Sequence, residues 1–130
     1  DIKAILKDNL IGTLATLNGD GSPWATPVHV FADDEALYWF SKDTHQHSLN
    51  IVLDPRVSVA LWSNSQGTKG AYVTGRAEKL DEIDTQKALD IVISAVGKVP
   101  PVFENTSAYR LKIGQSDTSK TSENRWYFYS

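Results

Sequence analysis

Apolar and polar residues alternate along most of this chain, and clusters of Gly, Asn, Asp and Pro interrupt the alternation. Ile11 to Leu17 reads Ile-Gly-Thr-Leu-Ala-Thr-Leu and runs into Asn18-Gly19-Asp20-Gly21-Ser22-Pro23. Such a cluster predicts a tight hairpin, because Asn, Asp and Gly accept the positive φ that the turn needs. Trp24 to Phe31 resumes as a strand, with Thr26, Val28 and Val30 on one face and Ala25, Pro27, His29 and Phe31 on the other. Pro27 has no amide proton for a ladder and belongs at an edge or a bulge. Asp33-Asp34-Glu35 makes the next turn, and Ala36 to Ser41 is an aromatic-rich strand. These three strands are expected to form a meander. Val57–Trp62, Gly70–Leu80, Ser107–Ile113 and Arg125–Tyr129 have the same strand texture. Ala71, Val73, Gly75 and Ala77 share one face of the second of these, and Gly75 implies a bend or a close contact there.

Helical spacing takes over in three places. Ile2, Ile5 and Leu6 predict a short amphipathic helix within Asp1–Leu10. A second helix starts near Thr44, with Asp43 or Thr44 as N-cap, and stops at Asp54-Pro55. Leu49, Val52 and Leu53 form its apolar stripe. The main helix spans Asp81–Val99, with Asp81, Glu82 and Asp84 at the positive end of its dipole and Gly97 and Pro100-Pro101 at its stop. Its expected buried stripe is Ile83, Leu89, Val92 and Val96. Ser63–Gly70 and Asp117–Asn124 read as polar loops. Most connections between strands are too short for parallel crossovers. The pattern therefore predicts one domain over residues 1–130, mainly β: an antiparallel sheet closed into a small barrel with helices outside.

Composition narrows the function classes. Of the 130 residues, 41% are hydrophobic and 22% charged, which excludes a largely disordered chain. No apolar run reaches the roughly 18 residues that a membrane-spanning helix needs. A net charge of −3 without a dense basic run argues against nucleic-acid binding. Cysteine is absent, which removes disulfides, thiolate metal sites and cysteine nucleophiles together. No charged-then-apolar leader is visible, so the expected compartment is the cytoplasm.

No nucleophile elbow, phosphate-binding glycine loop or zinc-protease motif is present. No catalytic residue can be named. The carboxylates fall in turns and at the start of the main helix, where capping and solvation account for them. Three histidines remain: His29 on a strand, and His45 and His47 near a helix start. Residues two apart on a helix face different ways, and further ligands are lacking, so no metal site is expected. Polar residues at a helix start can cap it, or they can bind an anion there, since free N–H groups and the helix dipole attract a phosphate. Ser41, Lys42, Thr44, His45, Gln46 and His47 suit either role. Trp39 and Phe40 face opposite sides of their strand, as do Trp126 and Tyr127. One face then belongs to a core and the other to an interface or ligand site.

The order of these pieces resembles the pyridoxamine 5′-phosphate oxidase-like family of FMN-binding split barrels. The resemblance rests on Ala25-Thr26-Pro27-Val28-His29-Val30, Leu37-Tyr38-Trp39-Phe40-Ser41, Leu49-Asn50-Ile51, Asp54-Pro55-Arg56-Val57-Ser58, Ala71-Tyr72-Val73-Thr74-Gly75-Arg76-Ala77-Glu78 and Arg125-Trp126. It implies a six-to-seven-stranded antiparallel split barrel that forms a homodimer, with one FMN in each of two clefts between subunits. Thr26, Pro27 and Val28 would line the isoalloxazine. Phe40, Ser41, His45, Gln46 and His47 would hold the phosphate, and Trp126 would approach the flavin from the partner subunit. The chain departs from the family pattern where it has His45-Gln46-His47 in place of a basic set. The strand arginine of the true oxidases falls at Ala25 or Thr26, and the flavin-facing glutamine falls near Gly70. An arginine-rich substrate segment is missing. Weaker FMN binding is therefore expected, and oxidation of pyridoxamine phosphate is not. The implied function is a flavin oxidoreductase exchanging electrons with small-molecule donors or acceptors. The alternative is a non-catalytic module of the same fold that binds flavin or haem, with His29, His45 or His47 as candidate axial ligands.

Overall fold

The computed structural model describes residues 11–63, 69–116 and 125–129. The helix expected within Asp1–Leu10 and the loop at Asp117–Asn124 lie outside the described residues, as does most of the loop at Ser63–Gly70. Nine strands form one sheet: β1 (Ile11–Leu17), β2 (Pro23–His29), β3 (Phe31–Ala32), β4 (Ala36–Ser41), β5 (Arg56–Ser63), β6 (Lys69–Lys79), β7 (Ser107–Lys112), β8 (Gln115–Ser116) and β9 (Arg125–Tyr129). Among the described residues two α-helices accompany them, α1 (Gln46–Leu53) and α2 (Glu82–Val96). The fold is mainly β, a curled half-barrel with helices packed on it.

The strand order is β2-β1-β5-β6-β7-β4-β3, with every neighbour antiparallel. The β1–β2 hairpin matches its turn chemistry: Gly21 sits at φ +85°, and the Asn18 amide is bonded to the Ser22 carbonyl. Gly12 is closely packed, because a Cβ there would stand 3.0 Å from side-chain atoms of Leu61, Val30 and Val59. Pro27 lies on an edge strand, where its missing amide proton costs no ladder bond.

The expected meander does not form. β2 and β4 stand towards opposite ends of the strand order and do not pair. The strand ends at His29, and only the two residues of β3 form a hairpin with β4, around a turn in which Asp33 Oδ1 accepts from the Glu35 and Ala36 amides. β4 instead takes β7 as its long partner, Ala36 opposite Lys112 and Ser41 opposite Ser107. Strand order is a non-local property, and local turn signals do not fix it.

β6 is the corner of the sheet. One edge pairs with β5, whereas the other pairs with β9 along Gly70–Thr74 and with β7 along Ala77–Lys79. The change of partner brackets Gly75 and Arg76, where the bend was expected. The inner face holds the main core, including Leu14, Val30, Leu37, Trp39, Val59, Val73 and Leu111. Trp39 is fully buried there and stacks on Tyr109 at 6.0 Å.

The outer face of β4 is covered by this chain itself. Tyr38 packs with Leu80 and Ala88, and Phe40 stacks on Phe103 at 4.6 Å. The second face of β4 therefore requires no partner subunit. α2 is N-capped by Asp81, whose side chain accepts from the Asp84 amide, and stops at Gly97 with φ 84°. Its buried residues are Ala88 and Val92, while Ile83 and Val96 are exposed, so half of the expected stripe faces solvent. Among the described residues no helix is long and apolar enough to cross a membrane.

Candidate functional site

The two strands that fail to pair leave a seam, and a cavity of about 440 Å³ occupies it. Ile11 from β1, Thr26, Pro27, Val28 and His29 from β2, and Phe40 and Ser41 from β4 line it, with His45 and His47 at the start of α1. This volume falls within the roughly 300–1,000 Å³ of small-molecule sites. Ile11, Pro27, Val28 and Phe40 give an apolar wall, and Ser41, His45 and His47 make a polar end. Phe40 is held from behind by Phe103.

The polar end is built by an unusual helix start. His45, not Asp43 or Thr44, is the N-cap; its backbone is extended and its side chain makes no cap bond. Because His45 stands outside the helix, the two imidazoles face the same cavity, with ring centroids 5.4 Å apart. The expectation that they would diverge assumed that both were helical. His47 is buried, and its Nε2 shares a 2.7 Å hydrogen bond with Ser41 Oγ. Burial, and then the proximity of His45, hold the His47 imidazole below its ordinary value of 6.5.

α1 is turned the opposite way from its apolar stripe. Leu49, Val52 and Leu53 are exposed, while His47, Ser48, Asn50 and Ile51 are buried. Asn50 decides the orientation. Its Nδ2 donates to Thr16 Oγ1 and Asn18 Oδ1, each at 3.0 Å, and its Oδ1 accepts from Gln46 Nε2 at 2.8 Å. This clasp fixes α1 against β1. Gln46 is thereby directed to Asn50 and does not line the cavity. On the other side of the loop, Asp43 accepts from Tyr109 Oη at 2.8 Å and pairs with Lys79 at 3.0 Å. Those bonds hold the Asp43 carboxyl below its usual range.

Seven of the nine residues singled out from the sequence thus line one cavity: Thr26, Pro27, Val28, Phe40, Ser41, His45 and His47. The side chain of Trp126 lies outside what the structure describes; its backbone pairs with Val73 of β6. The sequence reading missed Ile11, and it named His29 only as a haem ligand. Their signal was the hairpin register, which sets Ile11 opposite His29. A second groove of about 410 Å³ lies along α2, lined by Ala32, Asp90, Ile91, Ser94 and Ala95. Among the described residues no group of three His, Cys, Asp or Glu side chains is gathered closely enough to hold a metal ion.

A curled antiparallel sheet with an open seam, and a cavity in that seam lined by apolar residues and three imidazoles, defines a split barrel with a candidate ligand site. The sequence model of the pyridoxamine 5′-phosphate oxidase family matches residues 1–120, and the chain belongs to that family. Among solved structures it is similar to a FAD-binding protein from Mesorhizobium loti, at 27% identity and a TM-score of 0.69, covering 87% of each chain. It is also similar to a haem-binding protein from Mycobacterium smegmatis, at 29% identity and a TM-score of 0.62, covering 82% of this chain and 47% of that one. An Agrobacterium tumefaciens protein of unknown function shares the fold at 21% identity and a TM-score of 0.65, covering 82% of this chain. This chain spans about half the length of that protein, 51%. No curated protein matches the chain.

Proposed function

We propose that this protein is an FMN-binding, oxidoreductase-like member of its family that works as a homodimer with flavin at the subunit interface. It does not oxidise pyridoxamine phosphate. The observation that carries the proposal is the seam cavity, which combines apolar side chains with a hydroxyl and imidazoles at a helix start, the two kinds of surface that FMN requires. Ile11, Pro27, Val28 and Phe40 offer apolar surface to a planar ring, and the half-buried Thr26 adds a hydroxyl beside it. Ser41, His45 and His47 surround the start of α1, where unbonded amides and the helix dipole favour a phosphate. When bound, FMN supplies hydride and single-electron exchange with a small-molecule donor or acceptor. The chain's own residues position it: Phe40 is pinned by Phe103, and the Asn50 clasp fixes the helix that carries His47. Trp126 is assigned to the flavin of the partner subunit on the family resemblance.

Leu49, Val52 and Leu53 share one exposed apolar face of α1, and this supports a dimer, because a contiguous apolar patch marks contact surface. Reconstitution with FMN tests the proposal. A saturable yellow complex that oxidises or reduces a nicotinamide cofactor is the expected result, and colourless protein with no flavin uptake contradicts it. Three imidazoles around one cavity favour a second reading, a haem- or flavin-binding module without turnover. Haem uptake with a Soret band, and no FMN uptake, would establish the haem form.

A further inference from the structure

All three histidines of the chain, His29, His45 and His47, line the seam cavity, and among the described residues its lining holds no Lys, Arg, Asp or Glu. Among the described residues of one protomer, the titratable side chains of the lining are therefore all imidazoles. Resting on the FMN reading above, we propose that the cavity selects the phosphorylated flavin through its histidines and takes up a proton when the phosphate binds.

The geometry supplies the means. Neutral His47 can accept the Ser41 hydroxyl proton through Nε2, which leaves Ser41 without a donor for a ligand. Protonated His47 has two N–H groups and no acceptor. Ser41 Oγ must then accept from His47, and its own proton is released towards the cavity. Starting from the Nδ1–H tautomer, one proton thus creates a cation and frees a second donor at the same place. A phosphate dianion there favours the charged ring, whereas burial and His45 disfavour it in the free protein. Among the described residues, the elements packed around His47 bring only two further imidazoles, His29 and His45. β1 carries no ionisable side chain, β2 carries only His29, and Tyr38 of β4 donates to Asp33. In the loop, Asp43 is engaged by Lys79 and Tyr109, and the exposed Lys42 does not line the cavity. Unphosphorylated riboflavin presents the same ring without the dianion, so its binding requires no proton.

The test compares FMN with riboflavin on the purified protein between pH 6.5 and 8.5, by flavin fluorescence. Calorimetry in buffers of different ionisation enthalpy counts the protons taken up. FMN affinity is expected to fall at least tenfold across that range, with proton uptake approaching one near pH 7.5, while riboflavin binds weakly and independently of pH. His47→Gln should flatten the FMN profile, whereas His45→Gln should leave it pH-dependent. If His47→Gln does not fold, the proton count on the wild-type protein still decides. FMN binding that is tight and independent of pH, with no proton taken up, overturns the inference and leaves the flavin reading standing. Failure of both flavins to bind overturns both.

Discussion

The two described helices, α1 and α2, obey different rules. α2 follows the usual ones: Asp81 caps its start, Gly97 closes its end, and Ala88 and Val92 face the sheet. α1 breaks them. Its start has no side-chain cap, its leucines face solvent, and its interior side is His47, Ser48 and Asn50 with a single apolar residue, Ile51. The difference follows from what each helix does. α2 covers apolar strand surface, so its face is chosen by burial. α1 presents its first turn to a cavity, so its face is chosen by the residues that must reach the cavity and by the Asn50 clasp. Local sequence preferences fail most visibly where a site is built.

The clasp is the sharpest place to break the contrast. Asn50→Ala removes bonds to Thr16 and Asn18 and leaves the buried Thr16 hydroxyl without its partner. It should cost about 3 kcal/mol of stability, because several buried hydrogen bonds are lost together. Flavin affinity should fall as well, since the helix carrying His47 is released. In α2, Val92→Ala should cost about 2 kcal/mol, the scale for trimming a buried aliphatic side chain, and leave flavin affinity unchanged. Urea unfolding and flavin titration on both variants check the pair. Equal effects on affinity would erase the distinction between the helices.

A smaller contrast lies at the two N-caps. Asp81→Ala should cost about 1 kcal/mol, because the Asp84 amide loses its acceptor. His45→Ala should change stability by less than about 0.5 kcal/mol, since its side chain makes no cap bond. It should nevertheless weaken FMN binding. A destabilised His45 variant would show that the ring has a structural role.

Acid should also distinguish α1. His47 is held below 6.5 in the folded protein, so between the two values the unfolded chain binds the extra proton. The stability contributed by the neutral ring is complete above pH 6.5 and is lost as pH falls towards the lowered value. Without flavin, wild type should therefore lose more stability than His47→Gln between pH 7.5 and 5.5, as measured by unfolding at both values. The smallest effect is expected at Leu53, 75% exposed. Leu53→Lys should alter monomer stability by less than about 0.5 kcal/mol. Its dimer should nevertheless dissociate more readily in sedimentation, because Leu53 lies on the apolar surface proposed as the contact.

The same contrast explains what could be read in the sequence. The strands, the hairpin at Asn18–Pro23 and both ends of α2 follow from alternation, turn chemistry and capping, which are local. The position of β4 beside β7 does not, because Ala36 and Lys112 are brought together by the whole sheet. Leu49, Val52 and Leu53 predicted a buried stripe because periodicity counts apolar residues. It cannot count the bonds from Asn50 to Thr16 and Asn18, residues more than thirty positions away. The residues of the cavity were legible mainly through family resemblance. Its use of His29 and Ile11 was not, because the seam exists only after the sheet curls.

The most direct test of the account is to follow an FMN titration by NMR, reading backbone amides and histidine rings together. The account predicts saturable shifts at Ser41, His45 and His47 and along Thr26–Val28, with the groove formed by Asp90, Ile91, Ser94 and Ala95 silent. Saturable FMN binding that moves the α2 groove and leaves His45 and His47 unchanged would contradict it.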